Sequence, residues 1–176
     1  MLGVRDWLEI LMRLSPFVFC LGLAASTLPV AVIGQRPDDQ IDPKSMELLK
    51  QGETLLSQGK FIEADDALET ALIVDPKNRA AFVAMARVSI KQKLYGQAIR
   101  LSNKALLLEP TDRDALAVQG EAMVELGALP RAKENLTKLQ KLCGNTGCPQ
   151  VATLSTAIAR GPALAAAKTP EVPKKN

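Results

Sequence analysis

Residues 48–76 read LLKQGETLLSQGKFIEADDALETALIVDP, and residues 82–110 read FVAMARVSIKQKLYGQAIRLSNKALLLEP. Laid over one another, the two stretches share a rhythm more than identities. Leu48, Gly52, Leu55, Gly59, Phe61, Ala64, Leu68, Ala71 and Pro76 stand opposite Phe82, Ala86, Ser89, Lys93, Tyr95, Ala98, Ser102, Ala105 and Pro110, 34 places on in every case. The junctions match too, ALIVDPKN at 71–78 against ALLLEPTD at 105–112. A third copy follows, with Leu116, Gly120, Met123, Gly127, Leu129, Ala132 and Leu136 in register and Gly144 in place of the closing proline. A fixed period of this length marks a chain built from repeated supersecondary units.

Each copy divides into two helices. Asp42 before Pro43 is a good N-cap followed by proline at the first helical position, so a helix is expected over about 43–57. Gly59 and Lys60 break it, and a second helix over 61–74 ends at Pro76. Asn78 caps the third helix and the fourth spans about 95–108. Thr111 or Asp112 caps the fifth, with Thr111 and Asp114 as an approximate capping pair. The sixth opens near Leu129, tolerates Pro130 in its first turn, and ends near Leu142. Gly52, Ala86 and Gly120 are expected to let helices approach closely, as are Ala64, Ala98 and Ala132. Aromatics make up only 3% of the chain, so its core must come from Ala, Leu, Val and Ile, which suits close-packed helices.

Period and pattern together resemble the tetratricopeptide repeat, over residues 45 to about 142. The resemblance implies an all-α fold, a right-handed α-solenoid of three helix hairpins (45–78, 79–112 and 113–142) plus a C-terminal capping helix. It also implies a non-enzymatic protein- or peptide-binding module. In this family the first helix of each pair lines a groove. Carried across position by position, the groove takes Met46, Leu49, Glu53, Leu56 and Ser57 from the first copy. The second gives Ala80, Val83, Arg87, Ile90 and Lys91, and the third Asp114, Ala117, Glu121, Val124 and Glu125. The expected surface is an aliphatic floor with Arg87 and Lys91 in the middle and carboxylates on both sides, suited to an extended or helical peptide. Its charges read either as partner-selecting or as an internal ladder of Glu53, Arg87 and Glu121. Where some members need Lys and Asn to grip a terminal carboxylate, this chain has Leu49 and Glu53.

Other chemistry is sparse. The sequence contains no histidine, which excludes imidazole bases, Ser-His-Asp and Cys-His pairs, and the usual zinc sets. Asp65 and Asp66 are helix neighbours that do not face each other, and Asp38 and Asp39 lie in a polar leader over 35–44. Neither pair forms a catalytic constellation, and no cofactor or metal is expected. A net charge of +3 without an aromatic-interleaved basic stripe argues against nucleic acid.

After the third copy comes CGNTGCP at 143–149, a tight turn flanked by Cys143 and Cys148 and followed by a capping helix to about 161. In an oxidising compartment the pair is most simply a structural disulfide. The alternative is a thiol redox site, although such sites usually place their cysteines two residues apart at a helix start. Residues 162–176 are expected to be a disordered tail.

From Leu14 to Gln35 the chain carries no charge, with Arg13 just before. Residues 1–34 therefore read as a secretory signal or as an N-terminal membrane anchor. Pro16, Pro29, Ser26 and Thr27 interrupt the run, and Val32 and Gly34 present small residues for a cut before Gln35. A start at Met12 would give an ordinary signal. Cys20 follows Phe19 inside the apolar core, which speaks against lipid modification there. The whole resembles small exported repeat proteins of Gram-negative bacteria, implying a periplasmic adaptor or assembly factor. The alternative is an inner-membrane-anchored, self-assembling structural subunit.

Overall fold

The computed structural model describes residues 40–144 and 147–162. The expected signal or anchor over 1–34, most of the leader and all of the tail beyond Pro162 lie outside the described residues. Among those described are seven helices and no strand. They are α1 Pro43–Ser57, α2 Phe61–Val74, α3 Arg79–Lys91, α4 Tyr95–Leu108, α5 Arg113–Glu125, α6 Leu129–Cys143 and α7 Pro149–Arg160. None is long and apolar enough to cross a membrane.

The helix ends follow from side-chain chemistry. Asp42 Oδ1 accepts from the Lys44 N–H at 2.7 Å and opens α1, with Pro43 in the first turn. Asn78 Oδ1 accepts from the Ala81 N–H at 3.2 Å to open α3. Asp112 Oδ1 accepts from the Ala115 N–H at 2.7 Å to open α5. The expected pairing of Thr111 with Asp114 is not made, because Asp112 reaches the free N–H directly and the Thr111 hydroxyl instead donates to Glu109.

Within each hairpin the turn is closed by backbone alone. The N–H of Lys60, Leu94 and Ala128 donates to the carbonyl of Leu55, Ser89 and Met123, five residues back. The residue before each donor takes a left-handed conformation, Gly59 at φ 76°, Lys93 at φ 62° and Gly127 at φ 77°.

The hairpins stack in chain order. Each first helix packs on its own second helix and on the second helix of the preceding pair, and α1, α3, α5 and α7 touch one another in succession. The first helices therefore form one face of the stack, and α2, α4 and α6 the other. Ala64, Ala98 and Ala132, one per copy at the same register, are all completely buried. At Gly52 an added Cβ would lie 2.5 Å from Leu68 Cγ, so α1 and α2 approach as closely as they do because no side chain intervenes. Gly120 also lets one helix approach the next, but its neighbour is not the second helix of its own pair. An added Cβ there would lie 2.6 Å from Leu154 Cδ1, so the contact belongs to the capping helix α7.

Buried polar groups are tied across helices. Asn78 Nδ2 donates to Ser45 Oγ at 2.8 Å, and that hydroxyl donates to the Ala71 carbonyl at 2.7 Å, linking α1, α2 and the start of α3. At the other end Asn135 Nδ2 donates to Gln119 Oε1 at 2.8 Å, and Gln119 Nε2 to Asn103 Oδ1 at 2.6 Å. Cys143 and Cys148 are joined by a disulfide, their Cα atoms 5.7 Å apart, which ties the end of α6 to the start of α7.

Candidate functional site

Regular helical spacing places the groove candidates on the first-helix face, but it does not make them all accessible. Leu49, Val83, Ala117 and Val124 are buried. They form part of the hydrophobic clusters beneath that face rather than a floor upon it. The physical reason is the succession of contacts between first helices, which closes over the apolar positions nearest the neighbouring helix. Leu56 and Ile90 are half-buried, and Met46 is exposed. What solvent meets is mostly polar. Glu53 and Lys91 are exposed, while Arg87 and Glu121 are partly covered.

The ion pairs differ from the expected ladder. Arg87 Nη2 lies 2.9 Å from Asp114 Oδ1, so the guanidinium reaches forward to the start of α5 instead of bridging Glu53 and Glu121. Gln150 Nε2 of α7 donates to the same oxygen at 3.2 Å. At the other end of α5, Arg160 Nη2 meets Glu125 Oε1 at 2.9 Å, with the Glu125 side chain only 9% exposed. Both pairs cross from one first helix to the next. With both partners about half exposed, the Arg87 pair contributes little stability, about 0–1 kcal/mol.

Between them lies a hollow of about 370 Å³ lined by Glu121 of α5 and by Ala152, Thr153, Thr156, Ala157 and Arg160 of α7. Burial pushes the Glu121 carboxyl above the usual glutamate range, and Glu125 adds to the rise, while Arg87, Arg160 and Lys91 work against it. Among the described residues Glu121 makes no direct hydrogen bond or ion pair. It is a carboxylate held partly out of water at the edge of a cavity, positioned to accept from a donor brought by another molecule.

The α7 contribution was not visible in the repeat register. First helices begin at Arg79 and Arg113, and the same spacing would begin the next at 147. The disulfide turn delays α7 to Pro149, so extrapolating the register misassigns the face that Thr153, Thr156 and Arg160 occupy. The described residues contain no cluster of metal-ligating groups.

A family model of the tetratricopeptide repeat matches residues 55–121. No curated protein matches the sequence. Solved structures share the fold at low identity. The second tetratricopeptide domain of human RPAP3, in complex with the HSP70 peptide SGPTIEEVD, is 23% identical with a TM-score of 0.58, covering 66% of this chain and 95% of that one. The Sgt2 domain from Aspergillus fumigatus is 20% identical with a TM-score of 0.62, covering 77% and 88%. PcrH, in complex with the chaperone-binding region of PopD, is 16% identical with a TM-score of 0.58, covering 65% and 88%. The fold is thus a stack of three tetratricopeptide hairpins closed by a capping helix.

Proposed function

We propose that this tetratricopeptide-repeat stack is a non-enzymatic adaptor or assembly factor that binds a protein or peptide on its first-helix face. The observation that carries this reading is the polar strip across α1, α3, α5 and α7. It presents Glu53, Lys91 and the partly covered Arg87 beside a hollow whose carboxylate, Glu121, has no direct hydrogen-bond or ion-pair partner among the described residues. Solved relatives of the same fold hold peptide segments, as RPAP3 does an HSP70 peptide and PcrH a region of PopD. Because the apolar positions lie beneath the strip, polar complementarity supplies most of the recognition here, with Leu56, Ile90 and Met46 adding apolar contact at the margins.

The compartment belongs to the same proposal. A charge-free run from Leu14 to Gln35 and a disulfide at Cys143–Cys148 both suit an exported protein of a bacterial envelope, either released to the periplasm or held at the inner membrane. The disulfide has a structural role, because it joins the last repeat to its cap.

A photoreactive residue at position 87 should crosslink one partner reproducibly in envelope extracts. Reversing Arg87 and Lys91 together to Glu should weaken that complex by at least about tenfold while the helical content stays intact. Binding unchanged by the double reversal would sink the assignment of this face.

A further inference from the structure

The second-helix face carries an uneven distribution of charge that the described residues do not neutralise among themselves. Helix α2 holds Glu63, Asp65, Asp66 and Glu69 and no basic residue. Helix α6 holds Arg131, Lys133, Lys138 and Lys141 against the single acid Glu134. Among the described residues none of these groups takes part in an ion pair. The acids of α2 crowd one another: the Asp65 carboxyl is raised by burial, then by Glu69 and by Asp66.

The same face exposes large aliphatic side chains. Ile62 and Ile73 of α2 are 72% and 80% exposed, and Leu107 of α4, in register with Ile73, is 83% exposed. Ile62, Asp66, Glu69 and Ile73 follow one another at spacings of four, three and four residues, which places them on one stripe of α2. The result is a ridge with an apolar residue at each end and two carboxylates between, about 16 Å long at 1.5 Å per residue.

A shape to receive such a ridge exists on the same molecule. Between α4 and α6 runs a furrow of about 340 Å³, its lining including Asn103, Leu106, Met123, Arg131, Glu134 and Lys138. Arg131 and Lys138 stand two turns apart on one side of α6, about 10 Å along its axis. Their long side chains can therefore flank the ridge's two carboxylates, which lie about 4.5 Å apart along α2. Leu106, half-buried on α4, offers apolar surface for the isoleucines.

We propose that this face is a self-association surface, in which the α2 ridge of one copy seats in the α4–α6 furrow of a second copy, and reciprocally. Reciprocity follows from the placement of ridge and furrow at opposite ends of one face. A two-fold axis between two copies brings acidic α2 onto basic α6 twice, which makes the contact isologous and closed. Two ridge-in-furrow contacts also suit a stable interface better than one, since such interfaces bury roughly 1,200–2,000 Å² in total. The surface is separate from the first-helix strip, so a dimer leaves both strips open to a partner.

The test is the mass of the full chain in solution, by light scattering over a concentration series at low and high salt. The parent should form a dimer that weakens as salt rises. D66K with E69K, or R131E with K138E, should each weaken association at least about tenfold through like-charge contact, with circular dichroism unchanged. Mixing those two variants should restore a dimer, because each then meets its opposite charge at both contacts. Neither swap touches the N-terminal apolar run, so association through that segment would not respond to them. A parent that stays monomeric overturns the proposal. So does a dimer indifferent to both swaps, and so does a monomer whose furrow instead captures an acidic helix of another protein.

Discussion

Lys93 occupies the place where the other two hairpin turns have Gly59 and Gly127, and it takes the same left-handed conformation at φ 62°. A side chain with a Cβ resists that conformation by about 1–2 kcal/mol, whereas glycine adopts it freely. Lys93→Gly should therefore stabilise the protein by about 0.5–1 kcal/mol, after allowing for the extra freedom glycine gives the unfolded chain. A denaturant midpoint at or below that of the parent would contradict this. Glu121 gives a prediction in pH. Its folded-state carboxyl is raised, chiefly by burial, so the folded protein holds the proton more tightly than the unfolded chain does. The stabilising contribution is complete below the ordinary glutamate value and is lost as pH rises through the folded value. Glu121→Gln should accordingly be more stable than the parent at pH 7, and that advantage should vanish below about pH 4. Equal differences in melting temperature at both pH values would show that the carboxyl is not perturbed.

The capping helix depends on two fastenings, the packing of Leu154 onto Gly120 and the disulfide ahead of Pro149. Closing so short a loop constrains the unfolded chain by about 2 kcal/mol in the chain-entropy account. Reduction, or Cys143→Ser with Cys148→Ser, should lower stability by about that amount and speed amide exchange in α7 before α3. Protection of α7 that survives reduction unchanged would show that packing alone holds it. How far these elements could be read beforehand depended on local chemistry. Pro43, Asn78, Pro76 and Pro110 carry their signals in their own covalent structure, and the helix ends they mark needed no tertiary context. The spacing from Leu48 to Phe82 to Leu116 likewise placed each hairpin. The exposure of Leu49, Val83, Ala117 and Val124 was not legible in the same way. It depends on how closely one first helix lies against the next, and a periodic pattern identifies a face without fixing what covers it. The Arg87 partnership with Asp114 was equally hidden, because a long flexible guanidinium chooses among several carboxylates by geometry across helices.

Stability in a stack of this kind is shared between neighbours, so a defect is felt according to its place. Ala98 lies in the middle hairpin and is fully buried. Ala98→Leu should cost about 3 kcal/mol, near the upper end for overpacking a core, and should weaken the hairpins on both sides together. Ala64→Leu, in the terminal hairpin, should disturb the far end less. A thermal melt in which the Ala98 variant loses no more than the Ala64 variant would contradict this account. Shared stability raises a hazard, since three units of one shape and register offer many wrong ways to associate during folding. The contents of the close contacts limit those ways. Gly52 takes Leu68, the same register in the second copy carries Ala86 and Ser102, and Gly120 takes Leu154 from the cap. A second helix bearing Leu68 that slipped onto α3 would meet a methyl group where it needs empty space. One bearing Ser102 that slipped onto α1 would leave a void beside Gly52. The middle unit is thereby keyed apart from its two neighbours, and its place in the order is written in the bulk of its side chains.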